Sequence, residues 1–365
     1  MSVTSDLSRT DRLLQALEAS GADLLLVTDL AGLRYITGFT GTSGVALVGQ
    51  SLRRFGSDFR YVAQVAEEVD PSYEFVQTSQ NFVDALVSLL PPGPVKLGFD
   101  DGAMSVQTHA QIMQQLGDRV QLVSAGGLIE RLRRVKEPAE VAAIQAACEI
   151  ADAALEALLA SGLAGRTERE LALALEYEMR LRGADGVSFD PIVASGPHGA
   201  LPHASPRDVA VVPGQLVVID WGAQKDGYCS DCTRTVAVGE VGSKEREAYE
   251  LVLSAQLAGL DAIRAGADCH AVDAAVRDII AAAGYGDNYG HGLGHGVGLE
   301  IHEAPTLSFR IKPGADALLA GDAVTDEPGV YLPGEFGIRI EDLVIVGDDA
   351  PQILTSIPKQ LRVVD

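Results

Sequence analysis

Glycine occupies every second position from 290 to 298 in the stretch GHGLGHGVGLEIHE. Each glycine inside a helix costs about 1 kcal/mol relative to alanine, so a helix is excluded at this density. An extended strand remains, whose bare face lets another backbone, a metal cluster or a substrate approach closely. The same stretch holds His291, His295 and His302, three of the seven histidines in the chain. In an extended segment His291 and His295 share one face. One histidine can bind a metal while the others handle protons and oxyanions, and spacing alone does not rank them.

Two hairpins flank this stretch in sequence, and each gathers carboxylates. In LVVIDWGAQKDGYCSDCTRTVAVG, Asp226-Gly227 is a strong two-residue turn signal. That turn sets Asp220 opposite Thr233, with Asp231 two residues along on the same face. In TDEPGVYLPGEFGIRIEDLVIV, a loop centred on Gly334 sets Glu327 directly opposite Glu341. Cross-strand neighbours have Cβ atoms about 4.5–5.5 Å apart, where like charges destabilise unless something neutralises them. A pair of divalent ions meets that need, because carboxylates can bridge two ions while an imidazole completes the set. Oxygen ligands with one nitrogen favour Mn²⁺, with Co²⁺ or Zn²⁺ possible.

At 365 residues the chain exceeds the usual size of one core, so two domains are expected. A formal charge of −23 repels a phosphate backbone, which excludes nucleic acid as the expected partner. No apolar run nears the ~20 residues of a membrane span. The N-terminal MSVTSDLSRTDRLLQ lacks a basic segment followed by an apolar core, so a cytoplasmic location is expected. Four cysteines are too few for a disulfide framework. Cys229 and Cys232 spell C-x-x-C on a strand, where they face opposite sides, so neither a redox pair nor a zinc site is expected.

Alternating apolar runs and helical patterns place an α/β domain over residues 1–127. The basic ERLRRVKEP segment gives a linker over 128–138, and an α+β domain follows over 139–365. A long helix starts near Ala139. A second starts at Thr167, where Thr167 and Glu170 form a capping box. Further helices are predicted near 244–264 and 270–283. Two helices followed by strands occur twice, which hints at an internal duplication. His109 and His270 read as surface or packing residues, Trp221 as core, and Arg131, Arg133, Arg134 and Lys136 as a solvated linker face.

Taken in order, IDWG, SDCTRT, HGLGHGVGLEIHE, TDEPGVY and GIRIED resemble the pita-bread metallopeptidases, and within them the Xaa-Pro peptidases, prolidase and aminopeptidase P. The resemblance covers the whole length and implies an α/β N-terminal creatinase-like domain plus an α+β pita-bread catalytic domain. It implies that Asp220, Asp231, His295, Glu327 and Glu341 are the metal ligands, with Asp231 and Glu341 bridging. His203 in SGPHGALPHASP, His291 and His302 match substrate-facing histidines. Arg339 matches an arginine beside the bridging glutamate and is counted with the substrate-binding residues; Thr325 can do similar work. His198 matches no role. The implied reaction is metal-assisted hydrolysis of a small peptide with proline at its second position. Glu327 shuttles the proton of the water, while His302 and His291 stabilise the oxyanion and assist the leaving nitrogen. A homodimer is also implied.

A dipeptidase needs a cation for the free carboxylate of its substrate. Some prolidases carry an arginine shortly after the HE pair, where this chain has Thr306. Arg34 in LRYITGF is the preferred substitute, with Arg310 the other candidate. The expected activity is therefore that of a prolidase. Aminopeptidase P, acting on longer Xaa-Pro peptides, is the alternative. A catalytically silent pita-bread binding module is a reading of another class, disfavoured because all five ligand positions are filled.

Overall fold

The computed structural model describes residues 8–365, and the first seven residues of the N-terminal stretch discussed above lie outside them. The chain divides into two compact units, one up to Arg133 and one from Arg134 onward. In the first unit, LLLV (Leu24–Val27) and VALVG (Val45–Gly49) form strands buried throughout. They sit inside a six-stranded sheet in the spatial order Glu74–Gln77, Leu52–Ser57, Val45–Gly49, Leu24–Val27, Val95–Phe99, Val120–Ser124. Its core packs Leu24, Leu47, Leu86, Leu89, Leu97 and Ile112.

Two elements of this unit carry little signal in the sequence pattern. The helix Leu30–Thr37 is short, opened by the Asp29 side chain accepting from the Gly32 amide and closed by Gly38 at φ 84°. Arg34 lies in its last turn. The strand Leu52–Ser57 carries Arg53 and Arg54, which pair with Asp11 and Glu74 and so mask its apolar pattern.

In the second unit the helix Pro138–Ala160 buries Ile144, Ala147, Ala151, Leu155 and Leu158. The next helix, Glu168–Leu181, opens on the predicted Thr167–Glu170 capping box. These two helices pack against a four-stranded sheet in the order Val363–Val364, Cys232–Val238, Gln215–Trp221, Ile192–Ser195. Trp221 is fully buried, and its indole nitrogen donates to the Ala151 carbonyl at 2.8 Å, a packing role as expected. A second helix pair, Ser243–Ala262 and Cys269–Ala282, is followed by a five-stranded sheet. The order of that sheet is Glu303–Leu307, Gly294–Gly296, Ala323–Asp326, Asp342–Ile345, Gln352–Ile353. Helix pair then strands thus recurs, matching the predicted duplication in element order.

The basic segment departs from its reading as a solvated linker. Leu128–Arg134 is helical. Arg134 reaches Asp316 at 2.8 Å and the fully buried Asp322 at 2.9 Å. Lys136, itself buried, lies 3.1 Å from Glu303. Buried carboxylates far along the chain recruit these cations, because an uncompensated buried charge is costly. All four cysteines are free and buried. Among the described residues no helix is long and apolar enough to cross a membrane.

Candidate metal centre

Strand register builds the centre. Asp226 at φ 48° and Gly227 at φ 77° form the predicted left-handed turn, and Thr233 pairs with Asp220. In the second hairpin Gly329 pairs with Arg339, while beyond it Asp326 pairs with Asp342. Glu327 and Glu341 fall opposite each other between these two ladders, where the chain passes from the five-stranded sheet to the separate pair Gly329–Leu332 and Phe336–Arg339. Their amides turn elsewhere: Glu327 donates to the Leu293 carbonyl at 2.9 Å and Glu341 to the Thr233 carbonyl at 3.1 Å. Both arms of the second hairpin are thereby tied outward, at Glu327 to Leu293 beside the Gly294–Gly296 strand and at Glu341 to the Cys232–Val238 strand.

The glycine alternation has its predicted use. A Cβ on Gly294 would stand 2.1 Å from the Thr325 carbonyl oxygen, and one on Gly296 2.2 Å from that of Ala304. Only bare positions let the short strand Gly294–Gly296 lie this close to both neighbours. That approach delivers His295, whose Nε2 is 3.6 Å from Asp231 Oδ2 and 3.5 Å from Glu327 Oε1. His295 Nδ1 lies 3.0 Å from the Gly296 carbonyl. A carbonyl only accepts, so the proton sits on Nδ1 and the Nε2 lone pair is directed at the carboxylates.

Asp220, Asp231 and Glu341 place ligand atoms within 4.8 Å of one another. Burial, reinforced by Glu341 and Asp220, pushes the Asp231 carboxyl far above its usual range. Burial raises Glu327 to about 8, with Arg339 opposing and Asp220 adding. Glu341 is driven well up by burial and by Glu327. Burial holds the His295 imidazole below its ordinary value, which favours the neutral ligand form. One Asp220 oxygen is buried without a hydrogen-bond partner. Unneutralised carboxylates, an orphaned oxygen and a presented imidazole lone pair fit divalent cations.

Arg339 is the cation set among these groups. It bonds Asp220, donates to Thr233 Oγ1 and the Tyr331 hydroxyl at 2.9 Å each, and stands 4.0 Å from Glu327. Thr233 in turn donates to Glu341 at 2.7 Å. Thr325 accepts from the His295 amide at 3.1 Å and donates to Glu327 at 3.4 Å. Thr233 and Tyr331 escaped the sequence reading, although both lie inside the quoted SDCTRT and TDEPGVY motifs. Neither residue type signals its partner until the strands are paired.

A cavity of about 550 Å³ opens over the carboxylates, a size suited to a small ligand. His203, His291, His302, Thr306 and Arg310 line it together with the five candidate ligands and Arg339. The lining runs from Phe189 to Glu341 and so belongs to the second unit; Arg34 is not part of it. The His302 ring lies beside that of His295, centroids 4.4 Å apart and planes tilted by 59°. His291 Nδ1 is 2.8 Å from the Gly292 carbonyl and Nε2 is 2.9 Å from the Tyr331 hydroxyl, so both nitrogens are engaged by the protein. Burial, with Arg339 adding, pushes His291 down to about 4.

Comparison with known proteins agrees with this arrangement. Residues 142–348 match the model of metallopeptidase family M24, and residues 9–135 match the creatinase/prolidase N-terminal domain. The chain belongs to the M24 metallopeptidases, a family that uses divalent metals. It is 32% identical to the Xaa-Pro dipeptidase of Pyrococcus horikoshii, over 97% of this chain and 98% of that protein. Among solved structures, the Xaa-Pro dipeptidase from Bacillus anthracis superposes with a TM-score of 0.92 at 40% identity, covering 97% of this chain and 99% of that one. The X-Pro aminopeptidase from Thermotoga maritima gives 0.86 at 35% identity, covering 96% and 100%.

Proposed function

We propose that this protein hydrolyses Xaa-Pro dipeptides at the bond before proline. The observation that carries the reading is the convergence of four carboxylates and one neutral imidazole at a cavity lined by further histidines. The relatives described as Xaa-Pro dipeptidases, in Pyrococcus horikoshii and Bacillus anthracis, support the substrate class.

In this reading Asp220, Asp231, His295, Glu327 and Glu341 would hold two divalent ions, Mn²⁺ favoured, with Asp231 and Glu341 the carboxylates that would serve both. Ions held there would supply Lewis acidity towards a carbonyl and lower the pKa of a water beside them. Glu327, ionised once cations sit beside it, would accept the proton of the attacking water on a carboxylate oxygen. His302 and His203 donate hydrogen bonds to the carbonyl oxygen and the departing nitrogen. His291, engaged at both nitrogens, holds the Tyr331 hydroxyl that receives Arg339. Arg339 in turn orients Asp220.

The free carboxylate of a dipeptide requires a cation, and Arg310 on the cavity wall and Arg34 are the candidates. Turnover of Leu-Pro against a Leu-Pro-containing tripeptide, with Mn²⁺ present, tests the reading. Dipeptide preference is expected, and strong tripeptide preference would reject it in favour of aminopeptidase P, the activity named for the Thermotoga maritima structure. Arg310→Ala and Arg34→Ala, measured on both lengths, identify the anchor as the arginine whose loss harms the dipeptide selectively.

A further inference from the structure

His203 stands on a segment with little regular structure of its own. A 3-10 turn covers Gly196–Ala200, and turns and open coil follow to Arg207. Such backbone holds one conformation only when something outside it supplies the bonds. One side chain does so at both ends. Glu168, the first residue of the Glu168–Leu181 helix, is fully buried. Its Oε1 accepts from the Ser195 amide at 2.9 Å and the Ser195 hydroxyl at 2.8 Å. Its Oε2 accepts from His198 Nδ1 at 2.9 Å and from the Arg207 amide at 3.1 Å. The Arg207 guanidinium adds Nε at 3.2 Å and Nη2 at 3.3 Å. A carboxylate only accepts, so His198 carries its proton on Nδ1.

The helix itself has no need of this charge, since Thr167 and Glu170 already cap it. A buried carboxylate is costly unless its bonds are nearly all made, and here they are made almost wholly to the 195–207 segment. Burial pushes the Glu168 carboxyl up, but the bonds from Arg207 and Ser195 outweigh it and leave the group below its ordinary value. At the middle of the segment, the Pro202 carbonyl receives Arg339 Nη1 at 3.4 Å, and His203 follows directly into the cavity.

We propose that Glu168 is a positioning residue, a buried clamp on both ends of the 195–207 segment that sets where His203 stands over the metal centre. Ser195, His198 and Arg207 are its counterparts, which gives His198 a role that no motif assigned. This inference rests on the reading of His203 as a substrate-facing residue.

A double-mutant cycle on the Mn²⁺-loaded protein, with Leu-Pro as substrate, tests it. Glu168→Gln keeps the shape but turns an amide NH₂ towards the His198 and Arg207 donors. kcat/KM should fall on the order of tenfold to a hundredfold, as for a displaced active-site group. In a His203→Ala background the same substitution should cost no more than about twofold, the ordinary scatter of additivity. Equal losses in both backgrounds would overturn the proposal. A His203→Ala variant with unchanged kcat/KM would instead overturn the reading beneath it. Ser195→Ala, a smaller cut, repeats the cycle should Glu168→Gln fail to fold, with the same two outcomes. Amide hydrogen exchange over residues 199–206 should quicken in whichever variant folds, and unchanged exchange would also refute the clamp.

Discussion

Removing divalent ions from this protein should make its stability fall as pH rises through neutrality, the reverse of ordinary acid denaturation. Glu327 stands at about 8 in the folded chain against an ordinary 4.5, because burial disfavours its charged form. Below the lower value it is protonated whether the chain is folded or not, and full stability is present. Between the two, the unfolded chain releases a proton that the folded chain keeps, so stability drops by about 1.36 kcal/mol per pH unit. Above the higher value the loss from this group reaches roughly 5 kcal/mol. Asp231 and Glu341 are shifted in the same direction and steepen the fall. Bound ions favour the ionised carboxylates, so the stabilisation by metal should widen with pH. Chemical denaturation after chelation, from about pH 5 to about pH 9, with and without Mn²⁺, measures both curves. Metal-free Glu327→Gln should give the flatter slope. A metal-free protein whose stability is constant or rising over this range, or a Glu327→Gln variant with the parent slope, would refute the reasoning.

Arg339→Lys should weaken metal affinity by about tenfold to a hundredfold in calorimetric titration, because a lysine cannot serve Asp220, Thr233 and Tyr331 together. Gly294→Ala drives a Cβ towards the Thr325 carbonyl and should cost about 1–3 kcal/mol in thermal unfolding, with poorer metal retention. Gly290→Ala is its control, since a Cβ there meets nothing within 4 Å. Arg134→Ala strips the fully buried Asp322 of its cation and should cost about 3–5 kcal/mol in denaturant unfolding.

What could be read before any coordinates followed from short-range rules. The Asp226-Gly227 turn fixes the pairing of Thr233 with Asp220, and the loop at Gly334 fixes that of Gly329 with Arg339. The capping box at Thr167 gave a helix start to the residue. Elements whose stability comes from distant partners stayed hidden. Arg53 and Arg54 disguise a strand because their charges are answered by Asp11 and Glu74. Lys136 looked solvent-facing because Glu303 lies 167 positions away. Tyr331 and Thr233 show their worth only as hydrogen-bonding neighbours of Arg339. Glu168 reads as an ordinary acidic residue in a first helical turn, and nothing local reveals that its bonds go to Ser195, His198 and Arg207.

The amide of Glu341 answers to Thr233, and that of Glu327 to Leu293. Strands following the first helix pair and strands following the second must therefore dock before the acidic cluster closes. A chain folded only as far as the Cys232–Val238 strand offers two aspartates and no imidazole from the glycine-rich segment. On the proposed reading of the centre, ion capture would then serve as a checkpoint on folding: a chain that has mispaired either hairpin would be left with a weakly binding centre that a chelator can tell from a finished one.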